Sequence, residues 1–183
     1  MKECFNKNYY KNYFFEKEGN ISYDQIDWNE IVKEYIKKFK FDSFLDVGCG
    51  CGNLMQILSK KGKFVMGIEN SEYAFKKAIG KKIPVIKLDI GKNKFPFPDK
   101  TFDIVHCFGV LEYLKDKNEI LNAMKEISRV CKKQIIFSAR FDFNKGDDIF
   151  DKFTNKELDF KPKDFWLKLW KESGNKKKIN ILY

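Results

Sequence analysis

Histidine occurs once in this 183-residue chain, at His106, and arginine only at Arg129 and Arg140. A single imidazole excludes a metal centre built from several histidines and leaves one residue for a histidine general base. His106 is therefore a catalytic candidate, although its place at the end of an apolar run suits a plain strand-end residue equally well. Long apolar runs are missing too. The hydrophobic 43% of the chain is broken into short stretches, none near the ~20 residues of a membrane span, so no membrane partner is expected.

The cysteines, Cys4, Cys49, Cys51, Cys107 and Cys131, are odd in number, and no signal-peptide pattern precedes them. That argues against a disulfide framework and for a reducing, cytoplasmic setting. Cys49 and Cys51 are spaced C-x-C with no further ligand nearby, so they read as small loop residues and no metal is expected. The net charge of +10 suggests a nucleic-acid partner, but 36 − 2 = 34 of the basic residues are lysines spread along the chain. Lysine is the poorer reader of bases and phosphates, so that support is weak beside a plain solvated surface.

What is present is concentrated in Phe44-Leu-Asp-Val-Gly-Cys-Gly-Cys-Gly-Asn-Leu54. A short apolar run ends in an acid, glycines follow at every second position, and a helical pattern begins. Gly48, Gly50 and Gly52 remove the Cβ atoms that would keep a ligand off the backbone. Dinucleotide folds need G-x-G-x-x-G, whereas position 53 is Asn. Asp46, two residues before the first glycine, would repel a pyrophosphate and suit a ligand carrying an ammonium and a sulfonium. Lys63 to Glu69 reads as a second strand ending in a carboxylate, 69 − 52 = 17 residues past the loop, where an acid takes the hydroxyls of a ribose. Replacing Glu69 by Ala is expected to weaken that ligand and leave stability unchanged.

With Leu88-Asp89, Phe95-Pro-Phe-Pro-Asp99, Phe102-Asp-Ile-Val-His-Cys-Phe108, Val110-Leu-Glu-Tyr-Leu114 and Glu126-Ile-Ser-Arg-Val130 added, the chain resembles the class I S-adenosylmethionine-dependent methyltransferases over about residues 40 to 140. The resemblance is to their small stand-alone domains. It implies that Asp46 and the Gly48, Cys49, Gly50, Gly52 loop hold the amino-acid end of S-adenosylmethionine, and Glu69, with Asn70 beside it, the ribose. It implies further that Asp89 and Ile90 meet the adenine, and Cys107 and Phe108 the face near the sulfonium. Cys107 lacks the preceding proline of the pyrimidine C5-methyltransferase nucleophile, and the Asp/Asn-Pro-Pro-Tyr motif of the amino-methylating enzymes is absent.

The elements alternate as strand and helix, which predicts an α/β, Rossmann-like, doubly wound and mostly parallel sheet with helices on both faces. Asp27 and Glu30 have capping-box spacing before a helix carrying Trp28, Ile31, Val32, Tyr35, Ile36 and Phe39. One domain is expected over residues 1–183: an aromatic-rich lid and helix at 1–40, the cofactor-binding core at 41–140, and a substrate-side insertion, helix and last strand at 141–183. The insertion is expected to hold a short helix around Asp148 to Phe153, and Pro162 to open the following helix. The family's C-terminal antiparallel strand pair is expected to be incomplete, leaving a sheet edge for a dimer or marking a truncated chain.

Phe5, Tyr9, Tyr10, Tyr13, Phe14, Phe15 and Tyr23 crowd the first segment. They suit a lid over the crevice, with Tyr10 and Tyr13 as candidates to approach the sulfonium, or ordinary core packing. The expected function is S-adenosylmethionine-dependent methyl transfer to an unidentified acceptor, a small molecule or a protein side chain. The alternatives are an RNA methyltransferase and a non-catalytic cofactor-binding partner subunit; a nicotinamide oxidoreductase is disfavoured by Asn53.

Overall fold

The computed structural model describes residues 5–12, 26–139, 150–151, 156–157 and 161–181. Its main sheet is built around β1 (Ser43–Val47), flanked by β2 (Phe64–Glu69) and β4 (Phe102–Phe108). Outside β2 lies β3 (Val85–Lys87), and beyond β4 come β5 (Cys131–Ser138) and β8 (Lys178–Ile181). All five pairings are parallel, in the order β3-β2-β1-β4-β5-β8. The order reverses direction at β1, between β2 and β4, and in open sheets of this kind ligands sit at the carboxyl ends of the strands flanking that point.

Two helix layers bury the sheet. On one face α2 (Trp28–Lys38) and α3 (Asn53–Lys60) press Val32, Tyr35, Leu54, Met55 and Leu58 onto Phe44, Ile104 and Ile136. On the other, α5 (Lys117–Val130) and α6 (Lys163–Glu172) press Met124, Ile127, Trp166 and Trp170 onto Leu45, Val105 and Phe137. Adjacent strand residues point to opposite faces, so Leu45 and Val47 belong to the second core while Asp46 faces α2. Beside β3 lies α4 (Glu72–Gly80), and the short α1 (Lys7–Asn12) lies apart from both cores.

Local signals explain most helix starts. Asp27 accepts the Asn29 and Glu30 amides, both at 3.1 Å, and Asp116 does the same for Asn118 and Glu119. The reciprocal half of the capping box at Asp27 does not form, because Glu30 turns to Lys33 at 3.3 Å. Ser71 caps α4 through the Ala74 amide. Pro162 stands one position earlier than expected, as the residue before the first helical one of α6.

Two expectations are corrected. β8 joins β5 in parallel rather than as part of an antiparallel pair, because α6 carries the chain back along the sheet before the strand begins. The helix expected around Asp148 to Phe153 gives way at Phe150–Asp151 to a short strand, β6, paired antiparallel with β7 (Lys156–Glu157). That segment carries an isolated aromatic pair and no repeating helical stripe, so extended pairing wins. Between α5 and β5 the chain passes directly from helix to strand: Val130 ends the helix, and Cys131, with extended backbone, starts the strand.

Candidate functional site

The loop between β1 and α3 sits where the carboxyl ends of β1, β2 and β4 meet. Parallel register sets Val47 beside Ile68 and Cys107, so the loop residues that follow lie between the ends of β2 and β4. The Gly48 and Cys49 amides donate to the Ile68 carbonyl at 2.8 and 3.1 Å, which folds the chain back over β2. Gly48 has φ +74°, and a Cβ there would lie 2.3 Å from Cγ2 of Val110. Gly67 in β2 is required for a different reason: a side chain on it would strike Cys49 Sγ and Met55 Cε, each at 2.7 Å.

Glu69 locks the loop from below. One of its oxygens accepts the Gly50 amide at 2.8 Å, and the other accepts the amides of Asn70 and Ser71 at 2.9 and 2.8 Å. Burial pushes its carboxyl above the ordinary value, against the downward pull of those three amides. A carboxylate offers about four acceptor positions, so one remains on the oxygen that faces Gly50. Lys81 adds an outer tie, donating to the Cys51 carbonyl at 2.9 Å and to the Asn53 side chain.

Asp46 faces the α2 side and is 4% exposed. Its Oδ1 lies 2.7 Å from His106 Nδ1, and His106 Nε2 lies 3.2 Å from the Tyr35 hydroxyl. Among the described residues no hydrogen bond reaches the second oxygen, Oδ2. His106 is thus brought to Asp46, and both its ring nitrogens are engaged. Phe108, 37% exposed, lies parallel over the imidazole with ring centroids 5.7 Å apart.

The remaining candidates divide. Cys107 is fully buried in the second core, and burial followed by the charges of Glu112 and Asp46 pushes its thiol well above the ordinary value, which disfavours a thiolate nucleophile. Cys49 is held protonated in the same way, by burial and then by Asp46 and Glu69. Asp89 accepts the Gly91 amide at 3.1 Å and pairs with Lys92, while Ile90 is buried beside it. Asn70 is exposed, and its amide serves Glu69. Tyr10 is buried against Tyr73, with rings 5.8 Å apart, next to Cys51 of the glycine loop. Phe5 stands edge-on to Tyr113 at 5.1 Å, and its carbonyl accepts the Ser71 hydroxyl. The first segment therefore touches the residues after β2 and those after β4. Tyr13 lies outside the described residues.

Tyr35, Gly67, Val110 and Lys81 were not singled out as site residues. Only Tyr35 carried a signal: a phenol on an apolar helical stripe needs a partner for its hydroxyl once buried.

A family model described as a methyltransferase domain matches residues 45–138, from β1 to the end of β5. The chain belongs to that family. It is a class I S-adenosylmethionine-dependent methyltransferase fold, and the matched span contains the glycine loop, Asp46, Glu69, Asp89, His106 and Phe108. An uncharacterized methyltransferase of Schizosaccharomyces pombe is 34% identical over 131 residues, 60% of this chain and 47% of that protein. A mitochondrial arginine hydroxylase of Rattus norvegicus is 32% identical over 99 residues, 53% of this chain and 28% of that one. The chain thus spans less than half the length of either relative. A solved S-adenosylmethionine-dependent methyltransferase of Thermotoga maritima superposes with a TM-score of 0.59 at 18% identity, covering 80% of this chain and 70% of that chain, a likeness of fold.

Proposed function

We propose that this chain transfers a methyl group from S-adenosylmethionine to a small molecule or a protein side chain. One observation carries the reading: the glycine loop, the open Oδ2 of Asp46 and the remaining acceptor position of Glu69 converge at the sheet's reversal point. The donor set fits the cofactor. A carboxylate oxygen suits the ammonium, and the Glu69 position accepts a ribose hydroxyl without releasing any amide. Ile90 offers an apolar wall to the adenine, and the exposed ring of Phe108 an aromatic face to a sulfonium. The bound cofactor supplies an already activated methyl group, so the protein's part is to position the acceptor and exclude water.

The choice of acceptor rests on the crevice rim. Phe5, Tyr73, Phe108 and Tyr113 stand beyond the ends of β2 and β4, and the guanidinium of Arg129 is occupied elsewhere by Glu126, Asp99 and the carbonyls of Phe95 and Phe97. That favours a small molecule or side chain over RNA. Cys49, Cys51, Cys107 and Cys131 are all buried and stand outside any disulfide, which supports a reducing, cytoplasmic setting. No described helix is long and apolar enough to cross a membrane. The outer side of β8 offers an edge for a dimer, which sedimentation checks.

The test is calorimetry with S-adenosylmethionine, its demethylated product and NAD, followed by transfer of labelled methyl to acceptor pools. The first two ligands are expected to bind and NAD is not. Equal or tighter binding of NAD sinks the reading. Cofactor binding with no transfer to any pool leaves the non-catalytic partner subunit in its place.

A further inference from the structure

We propose that His106 is a positioning residue for cofactor recognition: it fixes the Asp46 carboxylate so that Oδ2 faces the ligand's ammonium, and Tyr35 holds it in the tautomer that does so. The inference rests on the reading of Asp46 given above and goes beyond it to two residues on other elements.

Three elements converge to build the arrangement. Asp46 comes from β1, His106 from the directly paired position of β4, and Tyr35 from α2, which packs on that face. All three are nearly closed to solvent, at 4%, 5% and 6% exposure. A carboxylate only accepts hydrogen bonds, so the 2.7 Å contact places the proton on Nδ1. In the tautomer with that proton, Nε2 is an acceptor and receives a hydrogen bond from the Tyr35 hydroxyl at 3.2 Å. The phenol keeps that proton, because burial and then the charge of Asp46 push its ionisation above the ordinary value. Phe44 and Phe108 pack against the imidazole with centroids 5.6 and 5.7 Å away, which restricts its rotation.

The consequence concerns the carboxylate's direction. A free aspartate at a strand end rotates, and ordering it against an ammonium costs side-chain entropy at binding. Here one oxygen is already held and the other carries no hydrogen bond among the described residues. With both nitrogens engaged, His106 has no free position for an acceptor's proton, so it acts through Asp46 rather than as a base.

The test uses the whole chain and two ligands titrated by calorimetry. S-adenosylhomocysteine carries the ammonium, and 5′-methylthioadenosine lacks the amino-acid tail. His106→Leu is expected to weaken the first about tenfold, close to the lower end for one hydrogen bond to a charged group, and to leave the second within about twofold. His106→Asn, whose amide nitrogen can take the place of Nδ1, is expected to restore most of the loss, while Tyr35→Phe should show a smaller loss with the same selectivity. Equal weakening of both ligands by His106→Leu overturns the proposal, since a packing defect does not distinguish them. Asp46→Asn separates the two layers of inference. If it removes the preference for the ammonium-bearing ligand while His106→Leu does not, the positioning role fails and the reading of Asp46 stands; if it leaves the preference intact, that reading fails and the proposal with it. Should His106→Leu not fold, Tyr35→Phe carries the comparison, and an unchanged ratio of the two affinities then overturns the proposal.

Discussion

Glu69 accepts the Gly50 amide at 2.8 Å, so the residue expected to hold the ribose also holds the loop that receives the rest of the cofactor. Glu69→Ala strips three amides of their acceptor, and the expectation that stability would not change is therefore revised. Leaving a buried donor unsatisfied costs about 1–3 kcal/mol, partly offset here by removing a carboxylate that burial disfavours. The ligand-free melting temperature should fall by roughly 2–4 °C for each kcal/mol lost, together with weaker cofactor binding. A variant that binds cofactor poorly yet melts with the wild type shows that the amides find other partners.

Gly48 and Val110 give a second test. Gly48→Ala places a methyl group 2.3 Å from Val110 Cγ2 and puts an alanine at φ +74°. The left-handed backbone costs about 1–2 kcal/mol, and the overpacking about 1–3 kcal/mol. Adding Val110→Ala should recover the second part and leave the first. Urea unfolding of the two single variants and the double variant measures both, and strictly additive losses refute a clash between these side chains.

Much of this architecture was legible because local chemistry and global fold agree. Asp27, Ser71 and Asp116 announce α2, α4 and α5, and the short apolar runs give β1, β2 and β4 within a residue or two. The glycine spacing located the loop. What one sequence hides is pairing across elements. Nothing along the chain links Tyr35 to His106, 71 residues away, and the contact follows only from α2 packing over β4. The part Glu69 plays in holding the loop was hidden in the same way, since its bonds to Gly50 and Ser71 depend on how the loop closes. The hairpin of β6 and β7 was missed because two-residue strands carry almost no periodic signal.

The anchor of the segment before β4 predicts a pH dependence. Arg129 binds Glu126 through Nε and Nη2, at 2.9 and 2.7 Å, and reaches the carbonyls of Phe95 and Phe97. Burial alone would raise the Glu126 carboxyl, but the bonds from Arg129 and the Phe95 amide, with the Arg129 charge, bring it below its ordinary value. A lowered folded-state pKa means that the stabilisation is present above the unfolded value of about 4.3 and is lost as pH falls through the folded one. Glu126→Gln should cost on the order of 1 kcal/mol at pH 7, with the gap to wild type closing as the pH falls below about 4. A gap that stays constant across the series rules out Glu126 as the titrating group.

The first segment is expected to act as a strap that tightens on the cofactor. α1 has six residues, too few to be stable alone in water. It lies outside both sheet cores, in a small cluster with Cys51, Ala74 and the ring of Tyr73. Phe5 spans the gap, its carbonyl bonded to Ser71 beyond β2 and its ring against Tyr113 beyond β4. A short element packed outside the sheet cores opens locally at lower cost than the sheet does. A ligand seated between the ends of β2 and β4 orders both anchoring walls, and the strap should close with them. Hydrogen exchange over residues 5–12, with and without S-adenosylhomocysteine, distinguishes this from fixed packing. A strap exchanges fast without ligand and gains protection on binding, whereas a fixed element is already protected and does not change. Tyr73→Ala, which removes the stacking partner of Tyr10, should speed exchange in the ligand-free chain and leave β1 and β4 as protected as before. If β1 and β4 lose protection as well, the segment is a piece of the core and not a strap.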